Sequence, residues 1–236
     1  MLKSLFSPAM QTKEKTILLV FAVAAIGNLA STLLDASMLN YATKPLLLLP
    51  LLLAWQSVTA FKTRFDRLIA GAFLFSWFGD LLLMMVSSAW GQKVPFFILG
   101  LGCFLVAHLF FIAAFWHWKG KRVWLIQQKP WLLLPFLLFW GILMYILWPG
   151  LGDLRIPVTA YSLVIIVMTA SAHNLWPLIT KPYRTYLSLG TILFVLSDSL
   201  IALNKFASPF AGASFAIMLT YIVAQYLIYL GAKGMR

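Results

Sequence analysis

Residues Trp131 to Pro149 read WLLLPFLLFWGILMYILWP, nineteen positions without a single charged side chain. A helix crossing a hydrocarbon core needs about 20 predominantly apolar residues, so this stretch has the length of one membrane span. It lacks the strict apolar–polar alternation of a lipid-facing barrel strand. In lipid every backbone N–H and C=O must be satisfied within the segment, which leaves the α-helix.

Working outward, the same character returns seven times. Apolar runs lie near 16–34, 45–61, 68–86, 95–116, 156–174, 185–203 and 209–230. With 131–149 they predict an all-α, polytopic membrane protein of eight transmembrane helices, forming a single integral-membrane domain over residues 1–236. Pro45, Pro95, Pro157 and Pro209 stand at or near helix starts, where a missing N–H costs nothing. The first run has span length and exceeds the apolar part of a usual signal peptide, so it reads as a retained helix.

Composition agrees. Of 236 residues, 62% are hydrophobic and 10% are charged, against roughly 45–50% and about 25% in soluble domains. A soluble fold would lack its charged coat, and a disordered chain would lack these hydrophobic residues. The net charge of +12 does not indicate nucleic acid, because the basic residues sit between apolar runs, where they set membrane orientation. Fourteen of the eighteen Lys and Arg fall in one alternating set of segments, and four (Lys44, Lys93, Arg155 and Lys205) fall in the other. The positive-inside rule then predicts both termini in the cytoplasm. Short polar loops suit a bacterial inner membrane. The single cysteine, Cys103, excludes an internal disulfide and a Cys-based zinc cluster.

Only two of the six acids, Asp80 and Asp198, lie inside apolar runs, and no Lys or Arg falls inside any run. A carboxylate there costs at least about 2.5–3.5 kcal/mol, so such residues usually face a cavity and have a task. At 1.5 Å per residue, Asp80 lies about 4–5 Å past the midpoint of its run and Asp198 about 6 Å past its own. Two carboxyls at one depth, one protonated and one ionised, are what acid–base hydrolysis uses. The alternative for each is an interhelical hydrogen bond that fixes packing.

Other polar residues fall near this level: Asn28, Ser76 one turn before Asp80, His108, Tyr161, Tyr221 and Gln225. His108 reads either as a proton carrier or as a packed polar residue. Lys44 and Lys205 flank the ends of two runs, as interfacial snorkelling groups or as partners for a phosphate. Only His108 accompanies the aspartates at depth, which is too few ligands for a catalytic zinc. No metal and no cofactor are expected.

The motifs around the acids resemble the YhhN family of membrane lysoplasmalogenases. Ser76-Trp-Phe-Gly79-Asp80 is similar to that family's Ser-x-x-Gly-Asp pattern, and Gly100-Leu-Gly102 with Ala107-His108 follows. The more specific stretch is Ser197-Asp198 followed by Asn204-Lys205-Phe206, then Thr220-Tyr221 and Ala224-Gln225, with Ile222 where members often carry a second Tyr. Lys44-Pro45 and Tyr161 match similar residues. The resemblance implies an eight-helix fold and hydrolysis of the vinyl ether bond of a lysophospholipid drawn from membrane lipid. The products would be a fatty aldehyde and glycerophosphoethanolamine or glycerophosphocholine. Asp80 and Asp198 would divide the acid and base roles. Asn28, His108, Tyr161 and Tyr221 would orient water and the ether oxygen, with Ser76, Asn204 and Gln225 also in the substrate site, and Lys44 and Lys205 would hold the phosphate. Two other readings of the acids stay open. One is a proton-coupled transporter with the aspartates as relays. The other is an intramembrane aspartyl protease, although Trp77 stands where that class has Gly and Asp198 lacks a preceding Tyr.

Overall fold

The computed structural model describes residues 8–87, 95–118 and 125–236. Lys3, Lys93, Lys119, Lys121 and Arg122, which enter the loop charge count, lie outside the described residues. The helices are α1 (Pro8–Leu33), α2 (Ser37–Thr43), α3 (Pro45–Thr59), α4 (Arg64–Met84), α5 (Phe96–His117), the single turn α6 (Leu125–Gln128), α7 (Leu134–Leu147), α8 (Arg155–Asn174), α9 (Tyr183–Ala202) and α10 (Ala213–Lys233). Among the described residues there is no strand, and eight helical segments are long and apolar enough to cross a membrane.

Three boundaries differ from the sequence reading for identifiable reasons. The second span begins at Ser37, eight residues before the expected start, because α2 runs into α3 through Lys44. Pro45 is the first residue of α3, where its missing N–H removes no helical bond, so it does not stop the chain. The third span begins at Arg64 because Thr63 and Asp66 form a reciprocal capping box at 3.1 and 2.9 Å. The seventh span extends to Ala207 through a π-helical turn, Leu203–Ala207. Asn204 and Lys205 therefore belong to the span rather than to a loop.

Close contacts divide the chain into two units, Met1–Ala114 and Phe115–Arg236. In the first, α1 packs on α3 and α3 on α4. Trp55, Ile69, Phe73 and Phe111 are fully enclosed, and the Phe73 and Phe111 rings meet edge to face at 6.0 Å. Trp55 Nε1 donates to the Asp66 carbonyl at 2.8 Å, securing the start of α4. Lipid tails are as apolar as a leucine, so shape complementarity and small residues, not water exclusion, hold such helices together. Gly79 shows this: a Cβ there would lie 2.6 Å from the Phe104 ring of α5.

In the second unit, α9 and α10 form the tightest pair. A Cβ on Gly190 would lie 2.8 Å from the Ile228 nitrogen, and one on Gly231 would lie 2.8 Å from the Leu187 backbone. Both glycines bring the two backbones together. Gly150, after α7, sits directly against the Phe206 carbonyl of the π turn, at a position no Cβ could occupy. On its other side α7 is bare: Leu137, Leu138, Ile142 and Tyr145 are exposed, Tyr145 at 83%.

Candidate active site

In the first unit the predicted polar residues come from four elements. Asp80 and Ser76 lie one turn apart on α4, both buried. The Ser76 hydroxyl has no hydrogen-bond partner among the described residues. Lys44, at the junction of α2 and α3, lies within electrostatic reach of the Asp80 carboxylate. This corrects the expectation that no cation falls inside a span. Residues 37–43 are polar enough to read as a loop, and their helical path puts Lys44 within the apolar helical segment Ser37–Thr59. A cation within reach of an intramembrane acid lowers the cost of that acid's charge.

Asn28 on α1 is fully enclosed. Its Nδ2 donates to the Thr43 hydroxyl at 3.2 Å, and its Oδ1 has no hydrogen-bond partner among the described residues. The Trp77 indole donates to the Pro45 carbonyl at 2.8 Å, tying α4 to the residue after Lys44. His108 is buried, and its Nδ1 is bonded to the Phe104 carbonyl one turn back on α5. A carbonyl can only accept, so Nδ1 carries the proton.

In the second unit the Tyr161 hydroxyl of α8 donates to Oδ2 of Asp198 on α9. The two line one cleft with α7, whose walls include Phe139, Trp140, Leu143 and Ile165 and whose interior is about 40 Å³. A water needs about 10–15 Å³ by this measure, so the cleft is roomy enough to admit one. Tyr161 is buried and Asp198 half-buried. The remaining polar side chains of the cleft are occupied internally. Ser162 donates to the Thr159 carbonyl at 2.9 Å and accepts from Trp140 Nε1 at 2.9 Å, and Ser199 donates to the Val195 carbonyl at 2.7 Å.

The other predicted residues of this unit are placed differently. Tyr221 is buried and meets Phe194 edge to face at 5.6 Å. Gln225, one turn on, is fully enclosed, with neither amide atom hydrogen-bonded among the described residues. Asn204 accepts from the Phe210 N–H at 3.3 Å, so it shapes the turn after α9. Lys205 is exposed, its Nζ 5.9 Å from the centre of the Phe206 ring. Sequence reasoning missed Trp140 and Ser162. The signal was present, because Trp140 falls at the middle of its run, where an interfacial tryptophan would not sit. Among the described residues no three His, Cys, Asp or Glu side chains gather as a metal site.

A model of the YhhN family matches residues 39–232. The chain is 34% identical over 169 residues to Lysoplasmalogenase TMEM86B of Sus scrofa, covering 70% of this chain and 63% of that protein. It is 31% identical over 169 residues to Lysoplasmalogenase TMEM86B of Homo sapiens, covering 71% and 64%. To the Lysoplasmalogenase of Mycobacterium bovis it is 30% identical over 161 residues, covering 66% and 59%. The chain thus spans a little under two thirds of the length of these relatives. No solved structure matches it.

Proposed function

The chain belongs to the YhhN family, and from that premise we propose that it hydrolyses the vinyl ether bond of lysoplasmalogens. The substrate would be a lysoplasmenylethanolamine or lysoplasmenylcholine. The observation that carries the proposal is the Tyr161–Asp198 hydrogen bond at the wall of an otherwise apolar cleft. It supplies an ionisable group beside a place for a hydrocarbon chain.

A vinyl ether is hydrolysed by adding a proton to its β-carbon, using the electrons of the C=C bond and leaving an oxocarbenium ion. Water then adds to the α-carbon and gives its proton to a base. The resulting hemiacetal collapses: its hydroxyl gives up a proton as the C=O forms, the bond from the α-carbon to the glycerol oxygen breaks, that oxygen takes up a proton, and a fatty aldehyde leaves. The net change is the addition of one water. In this mechanism Asp80 and Asp198 divide the work of donating the proton, balancing the cation and activating water. The parallel is the carboxylate pair of glycosidases, which also pass through an oxocarbenium-like state. Lys44 compensates the charge of Asp80, and Tyr161 fixes the orientation of the Asp198 carboxyl. Both termini lie in the cytoplasm, and the protein resides in a bacterial inner membrane.

The test is aldehyde release by purified protein from a vinyl-ether lysophospholipid, with the ester and alkyl-ether analogues as controls. Turnover of the vinyl ether alone, lost in both Asp80→Asn and Asp198→Asn, supports the mechanism. Undiminished turnover in either variant removes that aspartate from it. Absence of aldehyde from folded wild-type protein overturns the activity.

A further inference from the structure

The second unit carries only two acidic side chains, Asp153 and Asp198. Both lie far from the turn that joins α8 to α9. Asp153 precedes α8, whose length of about 30 Å separates it from that turn. Asp198 lies about 22 Å along α9 from Tyr183, at 1.5 Å per residue.

Cations gather at the same turn. Lys181 and Arg184 flank Tyr183 at the start of α9, and Lys233 and Arg236 flank Gly234 at the end of α10. The backbone of Gly234 sits directly against the Tyr183 ring, at a position where no Cβ could fit. The Trp118 indole donates to the Met235 carbonyl and holds the segment after α10 in place. Two pairs of basic residues from separate segments thus meet at one corner of the unit.

Arg184 is built into this corner. It is half-buried, and its guanidinium carbon stands 5.0 Å from the centre of the Trp176 ring, which in turn stacks on His173 with 12° between the planes. Its Nε is buried and has no hydrogen-bond partner among the described residues. A guanidinium over an aromatic ring keeps its N–H fork in its own plane, where it can grip a phosphate through two bonds. Lys181, three residues earlier, is exposed.

Depth identifies the ligand. Tyr183 opens one membrane-spanning segment and Lys233 closes another. Such positions stand at the level of lipid headgroups, where tryptophan and tyrosine are enriched. A single lysine there merely reaches for water. Several basic residues beside a span, with one arginine stacked and partly desolvated, suit an anionic headgroup.

We infer that the corner where the α8–α9 turn meets the end of α10 binds the phosphate of an anionic phospholipid, held by Arg184 and Lys181 in the field of Lys233 and Arg236. The bound lipid braces the turn against α10 and is not turned over. The site is separate from the Tyr161–Asp198 cleft and does not rest on the vinyl-ether reading.

The experiment uses the full-length protein in neutral detergent, with phosphatidylglycerol or phosphatidylcholine of matched chains. Bound lipid is counted by native mass spectrometry, and the unfolding temperature is followed in parallel. Phosphatidylglycerol is expected to bind about tenfold or more tightly than phosphatidylcholine and to raise the unfolding temperature. Each cation near a membrane surface is worth about fivefold in binding. Arg184→Gln and Lys181→Gln should therefore each weaken phosphatidylglycerol binding by about that factor and leave phosphatidylcholine binding unchanged. Arg155→Gln is the control: that arginine also stands over a tryptophan, Trp148 at 5.1 Å, but at the opposite end of α8, and its loss should change neither. Should Arg184→Gln unfold the protein, the exposed Lys181 carries the test. Millimolar inorganic phosphate is expected neither to displace the lipid nor to raise the unfolding temperature. Equal binding of the two lipids, an equal loss in Arg155→Gln, or displacement by inorganic phosphate overturns the proposal. Aldehyde release is a separate readout, so failure of the vinyl-ether activity and failure of this site are distinguishable.

Discussion

The Tyr161 hydroxyl donates to Oδ2 of Asp198, a bond between two helices that also presents the carboxyl to an apolar cleft. Removing one partner of a hydrogen bond to a charged group costs about 1.5–3 kcal/mol. Tyr161→Phe is therefore expected to lower kcat for aldehyde release by about ten- to hundredfold, while Asp198→Asn lowers it by at least about a hundredfold. Steady-state kinetics on the vinyl-ether lysolipid check this. Equal, small effects of the two changes would reduce the pair to a packing contact.

Lys44 and Asp80 supply a second, separate test. Lys44 lies within electrostatic reach of the buried Asp80, so removing the cation leaves the acid's charge less compensated. Lys44→Met should lower the unfolding temperature in detergent markedly, and adding Asp80→Asn should restore most of the loss. A double variant no more stable than Lys44→Met would show that charge pairing does not hold this part of the fold.

The α9–α10 contact makes a prediction about shape alone. In Gly231→Ala the new Cβ meets the Leu187 backbone at 2.8 Å, so the helices must separate, at a cost of about 1–3 kcal/mol. Gly102→Ala on α5 meets nothing within 4 Å. It should be neutral or stabilising by up to about 1 kcal/mol through helix propensity. Thermal unfolding of the two variants side by side checks the contrast.

Gln225 is enclosed with its amide unbonded among the described residues, a state that costs about 1–3 kcal/mol. Gln225→Leu should raise the unfolding temperature and lower turnover, the pattern expected where a destabilising group serves function. Higher stability with full activity would remove Gln225 from the site.

The eight spans were legible because hydrophobic run length is set directly by bilayer thickness. The capping box Thr63…Asp66 was overlooked, and the third run was started at 68, although its T-x-x-D spacing needs no tertiary information. Lys44 was not legible as part of a span. The preceding Ser37–Thr43 carries Asn40, Tyr41 and Thr43, a composition that also suits a loop, and Thr43 becomes helical in a partnership with Asn28 on another helix. The local setting of Asn204 was hidden similarly, because a π turn follows α9 and its amide oxygen accepts from the Phe210 N–H. The pairings Trp140–Ser162 and Tyr161–Asp198 join α8 to different helices, and no sequence spacing encodes them.

Because α7 is at once a wall of the cleft and a lipid-facing surface, widening that cleft displaces bilayer rather than protein core. In the proposed hydrolysis, membrane elasticity would then enter the rate, and acyl-chain order and lateral pressure would act on the cleft with no binding site of their own.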